Sequence, residues 1–208
     1  MSDALNYLVA ARPDAIKPYF KFLKEAGKHL DTRTRDLISV ITKVDVQTEP
    51  GFRQYLTRAL RNGASANEVL DALLMAFPTL GLAKIVWAVD ILLDMDIPEF
   101  HPENLFAEPT WHAVAPLEEL PSGEITYRDC AGRSLFVYRD NATIRVYDSR
   151  CPHQVTNIPH LALDGTRLTC PKHHWAFDVT SGECVEVGNR PLREFEHKVE
   201  NNTLMAFW

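Results

Sequence analysis

The hydrophobic period of this chain changes once, and a run of prolines marks the change. Before residue 98 the apolar side chains recur at helical spacing, and from about Trp111 onward they alternate. Pro98, Pro102, Pro109, Pro116 and Pro121 fall within the 24 residues between positions 98 and 121. Prolines at that density suppress helix, because each lacks an N–H and its ring clashes with the preceding turn. A bundle needs a period near 3.6 and a half-buried sheet needs a period of 2. The expectation is therefore α+β by separate domains: an all-α domain at 1–98, a Pro-rich linker at 99–110 and an all-β domain at 111–208.

In the first half, Leu37, Ile38, Val40, Ile41 and Val44 form one apolar helix face, with Asp31 as its N-cap. Phe52, Leu56, Ala59 and Leu60 repeat the pattern up to Gly63. Ser65-Ala-Asn-Glu68 is a capping box opening a helix through Val69, Leu73 and Phe77, which Pro78 is expected to interrupt. A nearly all-apolar helix should follow from about Thr79 to Asp94, and an earlier one should span roughly Asp14 to His29. In the second half, Leu135–Tyr138 and Thr143–Tyr147 flank a turn at Arg139–Ala142. Asp164-Gly165 and Ser181-Gly182 mark two further turns. Short strands at this spacing suggest a small antiparallel barrel or sandwich.

The formal net charge is −6, which makes nucleic acid an unexpected partner. Residues 1–98 carry 12 basic and 12 acidic side chains, whereas residues 99–208 carry 10 and 16. The acidic second half suits docking to a basic protein surface. The first fifteen residues show no basic segment followed by an apolar one, and the apolar stretch Leu82–Leu93 is short and broken by Lys84 and Asp90. A cytoplasmic protein without a membrane partner is expected.

Cys151-Pro-His153 and Cys170-Pro-Lys-His173 carry the chemistry. Each short motif offers one thiolate and one imidazole. A binuclear iron–sulfur cluster takes two Cys on one iron and two His on the other. A single zinc ion takes the same four residues as a tetrahedron, although zinc ribbons more often use a C-x2-C half.

The second half resembles a Rieske-type ferredoxin domain from about Trp111 to Trp208. The carrying residues are Cys-Pro-His-Gln at 151–154, the Asp-Gly turn at 164–165, Cys-Pro-Lys-His-His-Trp-Ala-Phe-Asp at 170–178 and Thr180-Ser-Gly182. The resemblance implies a [2Fe–2S] cluster with Cys151 and Cys170 on one iron and His153 and His173 on the other, both histidines at an exposed tip. It implies an electron carrier between an NAD(P)H-dependent reductase and a terminal oxygenase, with no catalytic residue of its own. His174 stands where such domains usually have Gly. Thr156 and Lys172 occupy the positions of the loop disulfide of respiratory relatives, and Trp175 and Phe177 replace their hydroxyl donors. Fewer hydrogen bonds to the sulfurs place the expected potential at the low end of the Rieske range, roughly −150 mV. Trp175 is expected to pack under its loop and His160 to sit on the surface. Cys130 is expected to be a free thiol and Cys184 a small buried hydrophobe.

Residues 1–98 resemble the carboxymuconolactone decarboxylase / alkyl hydroperoxidase D (AhpD-like) family. The carrying stretches are Leu30-Asp-Thr-Arg-Thr-Arg-Asp-Leu-Ile38 and Ala59-Leu-Arg-Asn-Gly-Ala-Ser-Ala-Asn-Glu-Val-Leu70. The hydroperoxidase thiol pair and histidine fall here on Thr48, Gly51 and Tyr55, and no cysteine occurs before residue 130. Thiol peroxidase chemistry is thereby excluded from this half. Asp36 maps to an acid of that family's relay and is expected as a helix-surface acid. The resemblance implies a homo-oligomer, with the helical half as an assembly and docking platform. Two rivals stay open: a redox enzyme with a small-molecule pocket at Asp36, Tyr55 and Trp87, and a redox sensor.

Overall fold

The structure, a computed structural model, describes residues 3–140, 143–153, 155–159 and 162–208. Helices α1 (Asp3–Ala11) and α2 (Pro13–Ala26) come first. The sequence reading found the second but not the first, and the pair packs mainly on itself, α2 burying no residue. Helix α3 (Thr32–Asp45) is capped by Asp31, which accepts from the Thr34 N–H at 2.9 Å. It buries Val40 and Val44, while Ile38 stands half exposed, so the buried face is narrower than expected. Helix α4 (Glu49–Arg61) and helix α5 (Ala66–Leu80) follow, the second opened by the Ser65/Glu68 capping box.

Pro78 does not interrupt α5. It lies in the last turn, where its missing N–H costs a single bond, and the chain breaks instead at Gly81, φ 79°, before α6 (Leu82–Asp94). Phe52, Leu56, Val69, Leu73, Ile85 and Ala88 are the centre of the helical core. Among the described residues no helix is long and apolar enough to cross a membrane.

The Pro-rich segment is packed rather than free. Pro98–Phe100 forms a 3-10 turn, Phe100 and Leu105 join the helical core, and Thr110 exchanges backbone hydrogen bonds with Trp208. Three antiparallel sheets then build the second half. The first orders β1 (Trp111–Pro116), β10 (Thr203–Phe207) and β9 (Glu196–Glu200). The second orders β2 (Glu124–Cys130), β3 (Arg133–Arg139) and β4 (Ile144–Asp148). The third orders β5 (Leu163–Asp164), β6 (Arg167–Thr169), β7 (Ala176–Asp178) and β8 (Cys184–Glu186). The expected β3–β4 hairpin pairs Tyr138 with Arg145, and the tip of its turn at 141–142 lies outside the described residues. Gly165 and Gly182 take positive φ at the two other expected turns.

Charged groups fasten the halves together. Arg150 donates to the Met95 carbonyl at 3.2 Å and to the Asp96 carbonyl, at the C-terminal end of α6. A cation there meets the negative end of the helix dipole. Glu99 Oε1 accepts from Arg133 at 3.1 Å and from Arg193 at 2.7 Å. Burial alone raises the Glu99 carboxyl, but Arg133 and Arg193 outweigh it and hold the group at about 2. The folded value lies below the ordinary one of 4.5, so this stabilisation is complete above pH 4.5 and is lost as pH falls toward 2. The shift corresponds to about 3 kcal/mol. Glu99→Gln should lower urea-unfolding stability by about 3 kcal/mol at neutral pH, and the gap to the unchanged protein should close as pH falls from 4.5 toward 2.

Candidate metal centre

Two loops carry the candidate ligands. The first leaves β4 and holds Cys151 and His153; the second joins β6 to β7 and holds Cys170 and His173. They close in the same way. The Cys151 N–H donates to the Thr156 carbonyl at 2.8 Å, and the Val155 N–H returns to the Cys151 carbonyl at 2.9 Å. The Cys170 N–H donates to the Trp175 carbonyl at 2.8 Å, and the His174 N–H returns to the Cys170 carbonyl at 2.9 Å. Both closures need a left-handed residue four positions after the cysteine: Val155 has φ 48° and His174 has φ 58°.

This closure turns both thiols inward. Cys151 and Cys170 are buried, and their thiols share a hydrogen bond. That bond, with the N–H groups of Lys172 and His173, holds the Cys170 thiol down at about 6 against the opposing effect of burial. The same bond and burial push Cys151 up, opposed by the His153 N–H. The His153 and His173 rings meet edge to face at 4.4 Å, and His153 stacks on Trp175 at 4.8 Å and 6°. Burial foremost, then His173 and Arg190, push the His153 ring down to about 4, so it is neutral at pH 7. Its Nδ1 is buried without a hydrogen-bond partner.

A neutral imidazole with an orphaned, buried nitrogen beside two facing thiols fits a group that takes both donor types. Among the described residues no three His, Cys, Asp or Glu side chains converge on one ion position. Paired ligands of this kind suit two irons better than one tetrahedral zinc.

Comparison with known proteins agrees with this geometry. The family model described as Rieske [2Fe-2S] domain matches residues 110–196. The ferredoxin component of the alkene monooxygenase system of Xanthobacter autotrophicus is 30% identical over 94 residues, 44% of this chain and 76% of that protein. The chain belongs to the Rieske [2Fe–2S] family. Its cofactor is the Rieske-type [2Fe–2S] cluster. The model described as Carboxymuconolactone decarboxylase family matches residues 13–94. Cholesterol 7-desaturase of Hemicentrotus pulcherrimus is 29% identical over 115 residues, and the chain spans only 23% of that relative's length. A chain of the solved complex of reduced oxygenase and oxidized ferredoxin in carbazole 1,9a-dioxygenase aligns with a TM-score of 0.38 at 26% identity, over 46% of this chain and 91% of that one.

Several expectations for the Rieske half change on inspection. His153 is not at an open tip. It is half-buried and lines a cleft of about 340 Å³ with Arg58 and Arg61 of α4. His173 is half-buried too, but exposed Pro171, Lys172 and His174 surround it. Trp175 packs under its loop as expected. Cys184 is half-buried rather than buried, donating to the Glu186 carbonyl at 3.3 Å. Cys130 is free and half-buried, and burial raises its thiol. His160 and Gln154 lie outside the described residues.

Asp36 is fully buried rather than on the helix surface. It pairs with Arg58 at 2.9 Å and accepts from Asn62 at 2.6 Å. The Tyr55 ring lies 5.2 Å from the Lys43 ammonium and 5.8 Å from the Arg58 guanidinium, and Trp87 packs on Phe52 at 6.1 Å. The three residues of the rival substrate pocket are thus parts of the packing, and Asp36 positions Arg58. Sequence reading missed Arg58, Arg61 and Arg190. The last donates to the Pro152 carbonyl at 2.8 Å with its guanidinium 5.1 Å from the Trp175 ring centre.

The positive φ at His174 explains why Rieske domains favour Gly there. A left-handed non-glycine residue costs roughly 1–2 kcal/mol, partly offset by the unfolded-state freedom that Gly adds. His174→Gly should therefore raise thermal-unfolding stability by up to about 1 kcal/mol, whereas His174→Val should lower it by about 1 kcal/mol.

Proposed function

We propose that this chain is a soluble one-electron carrier that takes electrons from an NAD(P)H-dependent reductase and passes them to a terminal oxygenase. The observation that carries the reading is the pair of matched loops that bring two buried thiols and two imidazoles together. Cys151 and Cys170 would hold one iron of the cluster, and His153 and His173 the other. When bound, the cluster takes up and returns a single electron. The N–H groups of His153, Lys172 and His173 point at the cysteine sulfurs and favour negative charge there. Trp175 and Phe177 offer no hydroxyl to the site. The ferredoxin component among the relatives supports the carrier role and the oxygenase as acceptor.

The second loop is the partner-facing side, because α4 flanks His153 while Lys172 and His174 stay exposed. Residues 1–98 form the helical domain, 99–110 the linker and 111–208 the cluster domain, in the cytoplasm. The helical domain associates with further copies of itself. Support comes from the apolar side chains that α5 and α6 leave exposed, among them Leu74 at 65%, Met75 at 82% and Leu82 at 62%.

Potentiometric titration should give a midpoint near −150 mV, and a value well above 0 mV would contradict the low-potential assignment. Rapid mixing of the reduced protein with its oxidised oxygenase should restore the carrier's visible bands, one electron leaving per cluster; an acceptor reduced only at the rate of free reductant would argue against it. Light scattering after size exclusion should show an oligomer that Met75→Glu dissociates, and a monomeric unchanged protein would remove the platform role.

A further inference from the structure

Three arginines line the cleft beside His153. Arg58 and Arg61 come from α4, and Arg190 comes from the segment after β8. Among the described residues no carboxylate lines the cleft. Arg58 is neutralised from behind by buried Asp36. Among the described residues no carboxylate ion-pairs with Arg61 or Arg190. Burial, then the nearby Arg61, push the Arg190 guanidinium down, so these two cations stand close enough to repel. Gln54 and Asn189 add amide groups, and Val187 and the Trp175 ring add apolar wall.

Uncompensated cations fixed around a recess are a site for an anion, which relieves their repulsion and accepts paired N–H bonds. At about 340 Å³ the cleft holds more than an inorganic ion and falls at the small end of ligand pockets. We infer that the cleft between α4 and the cluster loops binds a small organic carboxylate, its charge on Arg61 and Arg190 and its carbon body against Trp175 and Val187.

The site has a consequence for redox chemistry, which rests on the reading of His153 as a cluster ligand. A bound anion beside His153 opposes the negative charge that reduction adds. The carboxylate therefore binds the oxidised protein more tightly, and by reciprocity it lowers the potential. A tenfold preference for the oxidised state corresponds to about 59 mV for a one-electron couple. The cleft thus lets a metabolite-sized acid regulate the driving force for electron delivery.

Calorimetric titration of the oxidised, cluster-loaded protein with succinate, benzoate and inorganic phosphate tests the site. One carboxylate equivalent per chain should bind with Kd of about 1 mM or tighter. Arg61→Gln, at an exposed position, should weaken it about tenfold, Arg61→Lys should recover part of the loss, and Lys21→Gln on α2 should change nothing. Saturating carboxylate should lower the midpoint potential by about 59 mV. Absence of carboxylate binding, an unchanged affinity in Arg61→Gln, or tighter binding of phosphate than of either carboxylate would overturn the assignment. Carboxylate binding that depends on Arg61 but leaves the potential unmoved would uphold the site and count against His153 as a cluster ligand.

Discussion

Arg150 is the contact on which the arrangement turns. It stands one residue before Cys151, and its guanidinium is spent on the carbonyls that end α6. A cation at a helix C-terminus neutralises orphan carbonyls and meets the negative end of the dipole, so the contact is favourable for both partners. The Glu99 carboxylate, clamped by Arg133 and Arg193, fixes the neighbouring chain segment to the same β half. Val155, at the left-handed corner of the first ligand loop, packs on the helical core. The first loop is consequently built on the helical half as much as on its own sheet.

That anchoring makes the two histidines unequal although their loops are near copies. The first loop faces α4 and its arginines; the second keeps Lys172 and His174 in solvent. Here the helical half occupies the His153 side and leaves Lys172 and His174 of the other loop exposed. The buried Asp36 carboxylate holds the guanidinium of Arg58, a residue that also lines the cleft.

The ligand motif, the capping residues Asp31 and Ser65 and the β3–β4 hairpin were legible in the sequence because each depends on neighbours a few residues away, whereas the expected alternation is absent from β3, whose Leu135–Tyr138 are buried on both faces. Pro78 misled because a proline in a helix's last turn costs far less than one in its middle, and sequence alone does not say which turn it is. The unusual His174 became intelligible only as a backbone angle, since residue type does not reveal φ. Arg58, Arg61 and Arg190 were invisible as a group. Arg58 and Arg61 sit one turn apart on α4, but Arg190 lies more than a hundred residues further along the chain and meets them only where the two halves pack together. The surface expectation for Asp36 failed because its partners come from another element of the helical half, Arg58 on α4 and Asn62 at its C-cap.

The central claim is a binuclear cluster held by two cysteines and two histidines. Electron–nuclear double resonance on the dithionite-reduced, 15N-histidine-labelled protein tests it most directly. The account predicts two irons per chain and a half-integer-spin signal coupled to two histidine nitrogens, one of which disappears in His153→Cys. A signal without nitrogen coupling, or zinc in place of iron, would contradict it.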